Sequence, residues 1–351
     1  MRPVSFACLL AVISLAAVAA PTAPHYELGH RFLLGGDGGW DYVIWDPTGK
    51  RLFVGRSTRV QVLDVEKGAL IAEIPNTPGV HGVALAQEFG KGYTSNGQEG
   101  TSTVFDLKTL KETARIKLTG EGPDTIIYDP ATRSVLTLNG RSNNITVIDP
   151  KTDRVTATIP LPGRPEEGKP DGSGRVYVNI EDQSEIAVVD VRAAKVISTW
   201  SLAPCEGPSA LALDVAHRRA FSGCDNKLMA VSDLDQGKVV ATAPVGEGVD
   251  GDGFDPGTQL AFTSNGRDGT LTVIHEDSPD KYTVVETTPT QKYARTMALD
   301  PASHHIYLVT ADLKVTPAPA GATGQAARPH REVLPDSFTV LVMELQDRKG
   351  K

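Results

Sequence analysis

The sequence predicts an all-β chain: a seven-bladed β-propeller of four-stranded antiparallel blades, with the N-terminal strand closing the last blade. Three observations lead there. The first is a repeat. A segment ending in an acidic residue, VQVLD, recurs as STVFD, ITVID, IAVVD and MAVSD, with the acids at Asp64, Asp106, Asp149, Asp190 and Asp233, so that successive copies stand 41 to 43 residues apart. The second is what each unit contains. In the stretch from Asp124 to Gly163, four short apolar runs near Ile126, Val135, Ile145 and Val155 are separated by Asp-Pro, Asn-Gly and Asp-Pro-Lys-Thr-Asp turn signals, the pattern of an antiparallel meander. Such a sheet cannot bury either face alone, and a period of this length with four strands per unit is met by blades packed face to face around a channel. The third is closure. YELGHRFLLGG, from Tyr26 to Gly36, reads as a fourth strand with its exit turn, while the last unit, from Arg295, supplies only three strands before the chain ends near Leu345.

The units follow in order. First strands recur as YVIWDP, GVALAQ, TIIYDP, ALALDV, GFDP and TMALDP, and the fourth unit, GKPDGSGRVYVN, has the weakest of them. The sixth third-strand copy, LTVIHE, puts His275 in the acidic register, and the seventh, FTVLVMEL, lies near Met343. Between the second and third strands of the last unit stands an insertion. Its Pro, Ala and Gly content predicts a long loop over residues 313–336 without regular structure, either a free excursion or a cap over one end of the channel. Residues 25–345 therefore form one propeller domain.

Before it, MRPVSFACLLAVISLAAVAA has Arg2, an apolar run and the small-x-small signal Ala17-Val18-Ala19. Residues 1–20 read as a secretory signal peptide cut near Ala19 or Ala20, which implies a periplasmic or secreted protein. No later segment is apolar enough to span a membrane, so no stable membrane insertion is expected. A net charge of −8 at pH 7 lacks the electrostatic footprint of a nucleic-acid binder, and nucleic acid is not expected as a partner. A monomer is expected. Past the signal, Cys205 and Cys224 are the two cysteines left, with one pairing open to them. Both fall at the same end of the fifth blade, so a disulfide is expected there, with two free thiols as the alternative.

In a blade of this connectivity, the links between blades and the turns between second and third strands fall at one end. The Asp-Pro turns at Asp46, Asp129, Asp255 and Asp300 fall at the other and read as structural. The links ring the channel mouth with Trp40, Asp41, His81, Asp124, Glu166, Glu167, Glu206, Ser209, Asp250, Asp252, Tyr293 and Arg295. Asn96, Asn139, Asn179 and Asn265 close second strands at the same end, and Asn-Gly at three of them suits turn geometry. A ring so rich in carboxylates reads either as a solvated rim or as a site. The candidate ligand-binding residues are Asp41, His81, Asp124, Glu166, Asp250 and Arg295. Carboxylate oxygens are hard donors that suit Ca²⁺ or another divalent cation, and they suit an amine equally.

Other motifs fail on context. Gly36-Asp37-Gly38-Gly39 lacks the spacing and helix of a dinucleotide loop. Asp250-Gly251-Asp252-Gly253 has Ala261 where a calcium loop needs its bidentate Glu. No Gly-x-Ser-x-Gly frame is present.

The recurring Asp-Pro, the strands VYVN, YTSN and FTSN, the Val-x-Val-Ile-Asp segments and the Lys/Arg-Val-x-Ala-Thr-Ile-Pro strand together resemble the YVTN-repeat family of seven-bladed propellers, in particular its YncE-like periplasmic members. The resemblance covers residues 25 to 345 and implies a periplasmic or secreted binding protein. A single-stranded DNA contact is associated with one branch of that family; the acidic mouth here argues against it, because phosphate contacts need Lys and Arg. A second resemblance is to metal-dependent propeller lactonases and lyases, which hold a divalent ion with a Glu, an Asn and an Asp. Glu166, Asn179 and Asp250 are the positions this would imply. The expected function is recognition of a small polar ligand or a protein partner at the acidic mouth. The alternative is a divalent-metal-dependent, lactonase-like hydrolase or a lyase with His81 moving a proton, and a scaffold using its outer faces is a third reading.

Overall fold

The computed structural model describes residues 24–318 and 330–346. The expected signal peptide lies outside them. Seven four-stranded antiparallel sheets form the ring, and the third blade shows the plan: Pro123–Asp129, Ser134–Asn139, Asn144–Asp149 and Arg154–Pro160 pair in chain order. The last blade is made from both ends of the chain. His25–Leu33 pairs antiparallel with Thr339–Gln346, which lies beside His305–Thr310 and then Met297–Asp300. Joining the termini in one sheet leaves the ring no unpaired seam. The fourth blade keeps its weak first strand, Pro165–Pro170. Among the described residues the only helical turns are two short 3₁₀ segments, Gln87–Phe89 and Glu181–Gln183, and no helix is long and apolar enough to cross a membrane.

The sheets bury their faces against each other. Buried apolar side chains among the described residues fall into seven clusters, each between neighbouring blades; Leu136, Val147, Val178 and Val189 form one between blades three and four. Second and third strands are buried on both sides, so Ser134–Asn139 is covered almost without a break, Thr137 and Asn139 included. The outer strand Arg154–Pro160 alternates exposed and covered residues because only one of its faces meets a neighbour.

Residues 313–336 differ from their expected irregularity at both ends. Leu313–Thr316 and His330–Val333 form an antiparallel hairpin, with Val315 opposite Arg331. The Pro, Ala and Gly residues behind that expectation are concentrated between these two strands, whose own alternating composition suits pairing. Residues 319–329 lie outside the described part.

Cys205 and Cys224 form a disulfide, with Cα atoms 5.8 Å apart. It joins the link before blade five to the end of that blade's second strand, and both residues are buried.

Candidate functional site

The mouth is built by one backbone device. In blades two to six the pairing register of the first strand breaks near its start, between Val80 and Val83, Pro123 and Ile126, Pro165 and Gly168, Pro208 and Ala210, and Val249 and Gly251. A bulge releases a residue from the ladder and re-aims its side chain. The residues in these breaks include the second residue of each strand: His81, Asp124, Glu166, Ser209 and Asp250. Asp41 and Arg295 stand two residues before the strands Val43–Asp46 and Met297–Asp300, at the matching position of blades one and seven. Each blade thus supplies one residue to a ring of four carboxylates, one imidazole, one guanidinium and one hydroxyl.

Neighbours in this ring touch. His81 Nδ1 lies 2.6 Å from Asp41 Oδ2 and 3.4 Å from Asp124 Oδ1. Arg295 bridges two blades, with Nη2 3.3 Å from Asp41 Oδ1 and Nη1 2.7 Å from Asp250 Oδ2. Backbone carbonyls are tied by hydroxyls beneath: Thr296 Oγ1 donates to Asp41 O, Thr125 Oγ1 to Glu166 O and Ser209 Oγ to Val249 O. These bonds cross blade boundaries and hold the ring residues at set positions.

Burial sets the proton affinities. Burial alone would lower that of His81, but the Asp41 hydrogen bond and the charges of Asp124 and Asp41 outweigh it and raise His81 to about 9. Asp124 is pushed by burial up to about 6, with His81 opposing and Asp41 adding. Glu166 is pushed to about 8 by burial, then by Asp124 and Glu181. Asp250 also reaches about 8, because burial exceeds the relief from Arg295. Arg295 is held more firmly protonated, first by Asp250. One layer deeper, Asp252 is pushed well up by burial and by Glu167. Its Oδ2 accepts from Gly223 N at 2.7 Å while Oδ1 is buried without a partner. Carboxylates exceed the cations that could neutralise them, so the mouth retains protons near neutral pH.

Glu166, Asp250 and Arg295 line a common cavity of about 220 Å³, together with Tyr293, Arg267 and Arg331. Arg331 comes from the hairpin and lies 5.0 Å from the Tyr293 ring centroid, so the insertion reaches the mouth.

All six candidate ligand-binding residues belong to this ring. Asn179 does not join it. Its Nδ2 donates to Ala210 O and its Oδ1 accepts from Ser222 Oγ, both inside blade five, so the set Glu166, Asn179 and Asp250 does not converge through free donor atoms. Asn96, Asn139 and Asn265 are also consumed internally. Each donates through Nδ2 to side-chain oxygens five and seven residues on, for example Asn96 to Thr101 and Thr103. A different triad assembles instead: Asp41, His81 and Asp124 offer ligand atoms within 4.8 Å of one another. Arg164, 3.2 Å from Glu166 and 2.5 Å from Glu181, was legible as the link residue two before the ring position. Nothing in the sequence marks Arg331 as a mouth residue.

Fold and site together define a seven-bladed β-propeller with a charged ring at one end. No family model matches the chain, and no curated protein matches it. Among solved structures it is similar to hydrazine synthase of Kuenenia stuttgartiensis, with a TM-score of 0.68 and 16% identity over 78% of this chain and 93% of that one. It is also similar to a chain of the mitotic checkpoint complex, with a TM-score of 0.71 and 12% identity over 99% of each. At such identities the likeness shows the fold alone. That fold is consistent with a binding protein, and the disulfide is compatible with an extracellular or periplasmic setting.

Proposed function

We propose that this chain is a periplasmic or secreted YncE-like binding protein whose channel mouth takes a small polar ligand bearing an amine. The observation that carries this reading is the pairing of Glu166 and Asp250 on one cavity, both raised to about 8. Two carboxylates that hold protons because burial outweighs the relief from Arg164 and Arg295 offer a place for a further cation. An ammonium group would replace those protons and restore both charges. Arg331, which lines the same cavity, would meet an anionic group on the same ligand. Isothermal titration of a primary-amine panel, including ethanolamine and putrescine, tests this in buffers of different ionisation enthalpy. Binding is expected with release of protons at pH 7, weakened at least tenfold in Glu166→Gln and Asp250→Asn. Affinity unchanged in both variants would remove the assignment.

A second reading has its own support in Asp41, His81 and Asp124, whose donor atoms could hold a divalent cation as in a lactonase-like hydrolase or a lyase. In the present arrangement His81 instead serves as a protonated clamp between the two carboxylates. Metal analysis of the purified chain and of its His81→Gln variant separates the two: a stoichiometric ion lost on that substitution favours the enzyme.

A further inference from the structure

At the opposite end of the ring, five turn aspartates share a common arrangement. Asp46, Asp129, Asp171, Asp255 and Asp300 each accept a backbone N–H of their own turn. Each also has a carboxylate oxygen met by a donor side chain: Arg51, Thr132, Arg218, His304 and Ser303 respectively. Asp214, in blade five, makes the same turn bonds from Ala216 and His217. Its other oxygen is different. His217 Nδ1 lies 2.7 Å from the buried Asp214 Oδ2 without forming a well-aligned hydrogen bond, and the same nitrogen is 3.2 Å from Oε1 of a second buried carboxylate, Glu276 of blade six.

The placement of Glu276 is equally out of pattern. A backbone bond from the residue after the third strand's acidic register to the preceding turn recurs as Val65 to Lys50, Leu107 to Gly90, Val191 to Gly174 and Leu234 to Arg218, and then as Glu276 to Gln259. Four blades fill this position with Val or Leu. Blade six puts a carboxylate there that is 2% exposed, with Oε2 unpartnered and Oε1 3.2 Å from His217 Nδ1 and 3.5 Å from Tyr282 Oη. Arg219, nearby in sequence, is engaged by Asp233 and Asp280. Two buried carboxylates that share a single imidazole, with Glu276 Oε2 left unpartnered, offer a place for a cation.

We propose that Asp214, His217 and Glu276 form a divalent-metal site, of the borderline first-row class to which Zn²⁺ belongs, that ties blade five to blade six at the turn end. Their donor atoms lie within 4.8 Å of one another, so one ion can reach all three after small side-chain shifts. One imidazole with two carboxylates suits Zn²⁺ better than Ca²⁺, which takes six to eight oxygens. The half-exposed His217 ring gives the ion its way in, and water completes the coordination. The role is structural. A bound ion joins the neighbouring sheets where the other turns use an arginine, a histidine or a hydroxyl.

The test uses the full chain, stripped with chelator and titrated with Zn²⁺ alone by calorimetry, with thermal unfolding measured alongside. One equivalent is expected to bind at this site and raise the melting temperature. Affinity should fall at least 100-fold in Glu276→Leu and in His217→Ala, and stay unchanged in His81→Gln, which alters the mouth triad. Leu is the residue blades two and five carry at this register, and His217 is at the surface, so both variants are expected to fold. Unchanged Zn²⁺ affinity in both, or loss confined to His81→Gln, overturns the proposal.

Discussion

His81 Nδ1 lies 2.6 Å from Asp41 Oδ2, joining residues 40 positions apart and two neighbouring blades. The contact fixes a sign for the pH dependence of stability. The proton affinity of His81 rises from 6.5 to about 9 in the fold. Its contribution is therefore complete below pH 6.5 and lost as the pH climbs through 9. With the ring about one third exposed, solvent screening leaves about 1–2 kcal/mol. Urea unfolding at pH 6 and pH 9.5 should show that difference between the chain and its His81→Gln variant; equal loss of stability in both would contradict it.

Glu166 and Asp250 act in the same direction. Raised to about 8 in the fold, they hold protons there while the unfolded chain has released its own, so the fold loses stability as pH rises from about 4 to 8. The melting temperature is expected to fall between pH 5 and pH 9. Glu166→Gln should flatten this slope and melt higher than the unmodified chain at pH 8.5. A melting temperature that rises across the range would refute the assignment.

Arg56 is fully buried, with its guanidinium 3.6 Å from the Phe338 ring centroid. It donates to the carbonyls of Gly35, Asp37, Gly38 and Gly39 and to Gln61, pinning the turn that leaves the closing strand. Arg56→Ala strands those carbonyls and should cost about 3–4 kcal/mol; Arg56→Lys, which keeps charge without the fork, should cost about 2 kcal/mol. Denaturant unfolding measures both, and a change below about 1 kcal/mol for Arg56→Ala would show the turn to be held otherwise.

Tyr26 makes the same closure from within the core. It is fully buried, packs edge-on against Phe262 of blade six at 5.2 Å and donates its hydroxyl to His304 O at 3.2 Å. Tyr26→Ala should lose about 3–5 kcal/mol and Tyr26→Phe about 1 kcal/mol. If Tyr26→Ala unfolds at the same urea midpoint, the N-terminal strand is not part of the cooperative unit.

The Cys205–Cys224 bond closes a loop across 19 residues, a length for which about 2–4 kcal/mol is expected. The paired serine variant should unfold earlier by that amount under non-reducing conditions and match the unmodified chain once both are reduced. A gap that persists after reduction would place the effect in packing.

The architecture was legible in the sequence because it is periodic. Turn signals and alternating apolar runs are local, and a copy about 42 residues on repeats them, so strand order, blade number and terminal closure all follow from counting. The ring residues were legible for the same reason, since the repeat register assigns Asp41, His81, Asp124, Glu166, Asp250 and Arg295 to one end. Which of them meet depends on how the blades pack in space. Proton affinities depend on burial and on charges brought close from other blades, and neither is a property of one repeat. Asn179 looked available in its strand but is consumed by Ala210 and Ser222 of the next blade. Arg331 reaches the mouth from an insertion that belongs to no repeat. Glu276 could have been singled out as a carboxylate where its counterparts are Val or Leu, but its buried partner Asp214 is visible only once blades five and six are packed. Local repeat and turn signals specify the blades and the register of their ends; packing one blade against the next sets the chemistry, because electrostatic coupling acts across space and the repeat acts only along the chain.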